Sequence, residues 1–247
     1  MKRLLLTADP LESTPFCKSM DEAGVDVLHL PLDRFDYDPD QEMEREILPK
    51  LDQFRYVIHG GIRNAAHFLR WIESSRLMDQ MSTKIHLTHH VLAAQVLEEA
   101  GIPAVCPEGA SRPIDVIEFM LRISGSGSVL YPVADGETEE IPALLDEVGI
   151  DCAEMGVSRP RSLESEELAE YRRRLRETPP DAILFHTRGS VLRTWTAFPL
   201  LKTTGAIRIA ASQGAAWKLA KEGTEPDHQA MGSWTSVTEL ITGLTRT

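Results

Sequence analysis

Cysteine is scarce in this chain of 247 residues. Cys17, Cys106 and Cys152 lie far apart, and no two of them form a Cys-x-x-Cys pair. This spacing favours neither a disulfide framework nor a metal site, and reduced thiols in a protein core are the expected state. We therefore expect a cytoplasmic protein.

Positive charge is also in short supply. The 26 Lys and Arg residues are outnumbered by 38 Asp and Glu residues, which gives a formal net charge of −12. Nucleic-acid binding depends on a basic surface that neutralises phosphates, so a general nucleic-acid-binding function is excluded. A small anion held by a few backbone amides and arginines remains compatible with the composition.

Long apolar runs are missing as well. The first residues, MKRLLLTADP, contain one short run that ends before Asp9 and Pro10. It is shorter than a signal-peptide core or a membrane span requires, so we read it as a first β-strand and expect no membrane association. The hydrophobic content of 42% is nevertheless sufficient for substantial cores.

Short apolar runs alternate with amphipathic stretches along the chain. The predicted strands are RLLLTA, VDVLHLPL, RYVIHG, KIHLT, AVCP, SVLYPVA, DCAEMGV, AILFHT, AIRIAA and HQAMG. Helical crossovers between strands favour mainly parallel pairing, and Gly101, Gly149 and Gly223 stand where helices are expected to end. We predict an α/β fold with two five-stranded sheets, which suit this length better than one ten-stranded sheet.

Two polar segments, residues 31–42 and residues 156–167, have the composition of linkers. If the chain crosses between domains at both, residues 37–156 form an inserted domain, and residues 1–34 with residues 161–247 form the other. An internal echo supports two similar lobes, because AAQVLEEAG and AAWKLAKEG share their Ala-Ala, Leu and Gly positions.

Two predicted strands end in a histidine that is followed by small residues and an arginine at the start of a predicted helix. They are VIHGGIRN (57–64) and ILFHTRGS (183–190). Ligands of open parallel sheets bind outside the carboxyl ends of the strands, where free N–H groups of helix starts attract anions. Close backbone approach is predicted at Gly60, Gly61, Thr187 and Gly189, with carboxylate recognition by Arg63 and Arg188. The alternative is that these residues only cap helices.

The histidines of these segments, His59 and His186, have a side chain that exchanges protons near neutral pH. Their alternative role is to satisfy backbone groups at a strand end. His89 and His90 do not predict a metal site, because adjacent side chains point in different directions and no Asp, Glu or Cys completes a ligand set. No bound metal is expected.

The order of elements over nearly the whole chain resembles the uroporphyrinogen-III synthase family. DAILFHTRGSVLRTW is similar to that family's Asp-x-x-x-Phe-Thr-Ser-Pro-x-x-Val segment, and RYVIHGGIRNAAHF is similar to its first copy. IAASQGAAWKLAKEG and HLTHHVLAAQVLEEAG resemble its Ile-Gly-Pro-x-Thr-Ala helix starts. GIDCAEMGVSRPRSL stands where the family crosses between domains. The departures include Ala211-Ser212-Gln213 and His89-His90-Val91 in place of Ile-Gly-Pro.

This resemblance implies two α/β lobes, one inserted into the other and joined by a two-stranded linker. It also implies cyclisation of hydroxymethylbilane, with inversion of the last pyrrole ring and loss of water. No cofactor is implied, because the pyrroles themselves stabilise the cation that forms when hydroxide leaves. The expected partner is this anionic linear tetrapyrrole, bound by a monomer.

The resemblance further implies substrate contacts from both lobes. The residues expected to line the cleft are Gly60, Gly61, Asn64, Thr187, Gly189, Ser190, Ser212 and Gln213, with Arg63 and Arg188 on carboxylates. Ser158 aligns with a tyrosine that is the family's best candidate for assisting departure of the hydroxyl. In this chain Ser158 or His186 is the candidate proton donor.

Three hypotheses follow from these observations. The chain is an active synthase in which orientation of the substrate matters more than any one side chain. Alternatively, it is a non-catalytic module on the same fold that binds a tetrapyrrole or another polyanion. The third is an unrelated two-lobed α/β binding protein whose likeness is one of topology.

Overall fold

A computed structural model describes residues 2–110, 112–124, 127–134, 140–230 and 234–245. The chain divides into two compact units. The first unit comprises Met1–Arg34 and Arg161–Thr247, and the second comprises Phe35–Pro160. The two connections between the units lie inside the polar segments 31–42 and 156–167.

Helices and strands alternate along most of the chain. In chain order they are β1 (Arg3–Leu6), α1 (Pro10–Glu22), β2 (Asp26–His29), β3 (Phe35–Tyr37), α2 (Gln41–Ile47), β4 (Phe54–His59), α3 (Ile62–Ser74), α4 (Met78–Ser82), β5 (Ile85–Thr88), α5 (Val91–Glu99), β6 (Ala104–Val105), α6 (Pro113–Ser124), β7 (Ser128–Ala134), α7 (Glu140–Glu147), β8 (Cys152–Pro160), α8 (Ser165–Glu177), β9 (Ala182–Phe185), α9 (Arg188–Ala197), β10 (Ile207–Ala210), α10 (Gln213–Lys221), β11 (His228–Gln229) and α11 (Trp234–Thr245). Short 3-10 turns span Leu48–Gln53 and Pro199–Thr203.

The first unit is built on a parallel sheet. Within the described residues this sheet has five strands in the order β11-β10-β9-β1-β2, and each neighbouring pair is parallel. Its strands are covered on both faces: Leu5 packs with Ile183 and Phe185 on one side, and Leu4 packs with Leu184 on the other. Such two-sided burial is typical of parallel sheets flanked by helices.

The second unit contains a mixed sheet. Its described strands number six, in the order β3-β8-β7-β4-β5-β6. The pairing of β3 with β8 is antiparallel, and the other pairings are parallel. Val57 packs with Phe68 on one face, while Tyr56 and Ile58 pack with Val116 on the other.

The fold class predicted from the sequence is confirmed, and every predicted apolar run contains a strand. The prediction of two five-stranded sheets was wrong by one strand, since the described part of the second unit has six. The strand that was missed is β3, in the acidic segment 31–42. Three residues with a central aspartate present no apolar run, and only pairing with β8 reveals them as a strand. The remainder of the predicted strand HQAMG, from residue 231, lies outside the described residues.

Two stacked histidines lie in the core of the second unit. His86 donates from Nε2 to the Met81 carbonyl oxygen at 2.9 Å, so its Nδ1 accepts the bond from His59 Nε2 at 3.1 Å. Burial lowers the pKa of both rings, and the neighbouring His86 lowers that of His59 further. Burial likewise lowers the pKa of His67 to about 4 and that of His89 to about 3. The second unit therefore holds these imidazoles neutral.

Acid should destabilise this unit before its carboxylates titrate. The native rings stay neutral while the unfolded chain takes up protons below the ordinary value of 6.5, so the free energy of unfolding falls as the pH decreases from 7 to 5. Each such ring contributes a slope of up to about 1.4 kcal/mol per pH unit. Urea unfolding at several pH values measures this slope.

The variant His59→Phe tests whether the buried histidines cause this pH dependence of the unfolding free energy. Its unfolding free energy should depend less steeply on pH than that of the unsubstituted protein, because one proton-binding group of the unfolded state has been removed. An unfolding free energy that is constant between pH 7 and pH 5 would contradict this prediction.

Candidate functional site

The carboxyl ends of three strands meet at one edge of the first unit. Leu6 of β1 pairs with Leu184 of β9, and Phe185 pairs with Ala210 of β10. The chain after β2 returns to this edge, where the Asp33 N–H donates to the Thr7 carbonyl oxygen at 3.2 Å. Residues from four distant parts of the sequence are thereby brought together.

Helix α9 begins at this edge with a reciprocal cap. The Thr187 hydroxyl accepts from the Ser190 N–H at 3.0 Å, and the Ser190 hydroxyl accepts from the Thr187 N–H at 3.1 Å. Ser190 also donates to the Thr187 carbonyl oxygen at 2.7 Å and is fully buried. The hydroxyls of these two predicted site residues therefore serve as caps. The first N–H groups of the helix, on Arg188 and Gly189, have no partner inside the helix.

Helix α10 begins beside α9. Ser212 is its N-cap and accepts from the Ala215 N–H at 3.1 Å, while Gln213 is exposed. The exposed Arg188 lies against this helix, with Cζ 4.8 Å from the centre of the Trp217 ring. Gly214 lies next to Arg188, since a Cβ added to it would stand in ordinary contact with the Arg188 Cβ at 3.7 Å. The two predicted helix starts and the predicted cation thus form one surface.

Trp217 enlarges this surface. Its side chain is 50% exposed, and the Lys221 Nζ lies 5.0 Å from its ring centre. Cations within about 6 Å of an aromatic ring are attracted by the ring quadrupole. An exposed indole flanked by Arg188 and Lys221 offers both an aromatic face and positive charge to a ligand.

A buried carboxylate lies under the start of α9. The Asp33 Oδ2 is 3.0 Å from His186 Nε2, and the Asp33 Oδ1 contacts Arg193 Nε. Burial by itself raises the pKa of Asp33, but the contacts with His186 and Arg193 outweigh it and hold the pKa below its ordinary value. Asp33 is therefore ionised at neutral pH, and it fixes His186 next to the N-cap of α9.

The corresponding place in the second unit is more enclosed. Gly61 is the N-cap of α3 with extended backbone, and Gly60 before it is half-buried. Arg63 is 6% exposed and lies over the Phe35 ring with Cζ at 3.7 Å. The Asn64 amide donates to the Pro132 carbonyl oxygen at 3.0 Å. These predicted site residues are thus together in space, but their side chains are turned toward the protein.

Ser158 also belongs to the second unit. It is fully buried in β8, opposite Tyr37 of β3. Among the described residues its hydroxyl has no hydrogen-bond partner. The rings of His89 and His90 lie 4.1 Å apart before α5, and no cluster of His, Cys, Asp or Glu suited to a metal ion occurs in the described ranges.

Several residues of the first-unit surface were not predicted from the sequence. They are Asp33, Arg193, Trp217 and Lys221. The spacing of Trp217 and Lys221, four apart on one helix, could have indicated their proximity. No comparable local signal exists for Asp33, which stands in a polar segment read as a linker.

The first unit thus combines two helix starts and several cationic side chains at the carboxyl edge of a parallel sheet, in a protein of two α/β units. The family model described as uroporphyrinogen-III synthase HemD matches residues 16–233. No curated protein sequence matches the chain.

Two solved structures have a similar fold. Uroporphyrinogen-III synthetase from Helicobacter pylori is 17% identical, with 99% of this chain and 100% of that chain covered and a TM-score of 0.67. A mutant uroporphyrinogen III synthase from the extremely thermophilic bacterium Thermus thermophilus is 16% identical, with 100% and 98% covered and a TM-score of 0.60. At this identity the likeness concerns the fold.

The chain belongs to the uroporphyrinogen-III synthase family. The expected family is confirmed, and the reaction of this family is that of a lyase in porphyrin biosynthesis. A tetrapyrrole substrate follows from the family. No described helix combines the length and apolar character needed to cross a bilayer.

The cap of α9 yields a stability prediction. Thr187→Ala removes the acceptor for the Ser190 N–H and should lower the free energy of unfolding by about 1 kcal/mol. Thr187→Ser retains the hydroxyl and is the matched control. Urea denaturation followed by circular dichroism measures both, and equal stabilities for the two variants would contradict the capping role.

Proposed function

We propose that the first-unit surface around Arg188 binds the carboxylates of hydroxymethylbilane and holds the linear tetrapyrrole for ring closure. The observation that carries this proposal is the position of Arg188. Its exposed guanidinium lies against the half-exposed Trp217, between the starts of α9 and α10. Pyrrole rings and carboxylates are the two chemical groups that such a surface attracts.

The remaining substrate contacts of this unit come from the same two helix starts. Thr187, Gly189, Ser190, Ser212 and Gln213 contribute backbone N–H groups and small side chains, while the hydroxyls of Ser190 and Ser212 hold the caps in shape. Free N–H groups and the helix dipole favour a negative charge at each start. Two starts that adjoin Arg188 can therefore hold more than one carboxylate.

Ring closure then proceeds by orientation. A flexible linear tetrapyrrole must be folded so that the correct carbon of its last ring attacks the terminal carbon from which hydroxide departs. Holding reactants in a productive geometry supplies effective molarities of about 10⁵ M or more. Such catalysis needs few reactive side chains, which agrees with the absence of a strong catalytic motif from the sequence.

His186 is the better candidate for the proton donor to the departing hydroxyl. It precedes the N-cap of α9, its side chain is 9% exposed and Asp33 holds its Nε2. Ser158 is fully buried in β8. We retain Ser158 as the second candidate, since its hydroxyl has no hydrogen-bond partner in the described part of the chain.

For the second unit we propose a smaller contribution. The N–H groups at the start of α3 and the half-buried Gly60 favour backbone contacts by Gly60 and Gly61. Arg63 and Asn64 are 6% and 2% exposed, so their contribution is to shape this helix start, and contact with a carboxylate requires their side chains to turn outward.

We further propose that the chain acts as a monomer in the cytoplasm. Its three cysteines are free thiols, which suits a reducing compartment. Light scattering coupled to gel filtration measures the mass, for which 27.5 kDa is expected.

An isomer assay tests the activity. The protein is supplied with hydroxymethylbilane, and the type I and type III uroporphyrinogens are separated. We expect the type III isomer, which requires inversion of the last ring. Formation of only the spontaneous type I isomer at high protein concentration would refute the synthase proposal, and tight binding without turnover would then favour the non-catalytic module.

Arg188→Ala tests the location of the binding surface. Loss of a charge-assisted contact should raise KM about tenfold. The control is Arg173→Ala, because Arg173 lies on α8 and pairs with Glu170 and Glu177. Steady-state kinetics compare the two variants, and equal changes in KM would show that the surface is misplaced.

A further inference from the structure

Arg193 was not singled out by the sequence, yet its guanidinium lies at the start of α9. Arg193 stands four residues after Gly189 on the same helix. Long helical side chains point toward the N-terminus of their helix, which carries the guanidinium back over the first turn. Its side chain is 42% exposed although its Nε contacts the buried Asp33.

Gly189 provides the space for this arrangement. A Cβ added at Gly189 would stand 2.7 Å from the Arg193 Nη2 and 3.0 Å from its Cζ and Nη1. Real Cβ atoms do not approach a neighbour as closely as 2.7 Å, so any other residue at this position displaces the end of the Arg193 side chain. The position of the Arg193 guanidinium therefore depends on the absence of a side chain at residue 189.

Asp33 orients the guanidinium. Its carboxylate is 3% exposed and contacts two groups, Arg193 Nε on one oxygen and His186 Nε2 on the other. Because Asp33 occupies the Nε side of the planar guanidinium, the donors on the terminal nitrogens remain for another partner. The second ring nitrogen of His186, Nδ1, is buried and has no hydrogen-bond partner within the described residues.

We propose that Arg193 is a substrate-binding residue that takes a carboxylate of the tetrapyrrole on its terminal nitrogens, with Asp33 as its positioning residue. Bidentate pairing with a carboxylate is the geometry that a fixed guanidinium favours. The first N–H groups of α9 lie beside it and add to the attraction. This inference rests on the proposed function for the identity of the ligand, and it assigns three residues, Asp33, Gly189 and Arg193, to one carboxylate position.

The first experiment compares Arg193→Ala and Arg193→Lys with the unsubstituted protein. Type III formation gives KM and kcat, and titration with uroporphyrin III, a stable octacarboxylate, gives a dissociation constant independent of turnover. Arg193→Ala should raise both KM and the dissociation constant about tenfold, with a smaller effect on kcat. Arg193→Lys keeps the charge without the planar fork and should recover part of the loss.

The second experiment uses Gly189→Ala, which preserves Arg193 but displaces its guanidinium. Because the displaced group is the end of a flexible side chain that keeps its charge, Gly189→Ala should weaken uroporphyrin III binding by less than Arg193→Ala does. The double variant should bind no more weakly than Arg193→Ala alone. Gly243→Ala is the matched control, because Gly243 lies in α11 and an added Cβ there meets nothing within 4 Å.

Asp33→Asn tests the positioning role. It should weaken binding in the protein that retains Arg193 and have little further effect in the Arg193→Ala background. A purely structural role for Asp33 would instead lower stability equally in both backgrounds and leave the dissociation constant of the folded protein unchanged.

Three results would overturn the inference. They are unchanged binding by Arg193→Ala, an effect of Gly189→Ala that persists fully in the Arg193→Ala background, and an effect of Gly243→Ala equal to that of Gly189→Ala. If the unsubstituted protein forms no type III isomer but binds uroporphyrin III in an Arg193-dependent way, the proposed activity fails while this inference stands. Absence of both turnover and binding refutes both.

Discussion

The parallel pairing of the first unit's strands is the constraint on which its candidate site depends. With Leu6 opposite Leu184 and Phe185 opposite Ala210, the carboxyl ends of three strands reach the same edge. Parallel strands require crossover connections, so helices α9 and α10 both begin there. In another register of these strands, Arg188 would not stack on the neighbouring helix and Asp33 would not contact α9.

The two lobes carry the same sequence pattern at a strand-to-helix junction but use it differently. In the first unit, Arg188 lies exposed against an aromatic ring on the neighbouring helix. In the second unit, strand β3 brings Phe35 to the start of α3, and Arg63 lies over that ring in a buried position. The internal sequence repeat thus gives the two units an equivalent backbone but different surfaces. The exposure of each arginine depends on which side chains of neighbouring elements pack against it.

Much of the fold followed from the apolar runs, because strands that are buried on both faces have a distinctive composition. The edge strand β3 could not be predicted, since Phe35, Asp36 and Tyr37 are too few for a pattern and owe their conformation to pairing with β8. For the site, the helix start at Thr187 was predictable because capping involves residues three positions apart. The contact of Asp33 with His186 joins residues that are distant in the chain, and local patterns carry no information on it.

The sequence by itself determined the α/β class and the positions where strands end and helices begin, because these depend on periodicity and on short-range capping. The family followed from the resemblance of its motifs, in their order along the chain, to those of known members. Only the tertiary structure decided which of the residues at those positions remain exposed, and which cations share one surface. It placed Trp217 beside Arg188, buried Ser158 in a sheet, and set Arg193 over Gly189. The physical reason is that exposure and ion pairing are set by packing between elements. That packing joins segments that are far apart in the chain, and the local sequence of neither segment shows which partner it will contact.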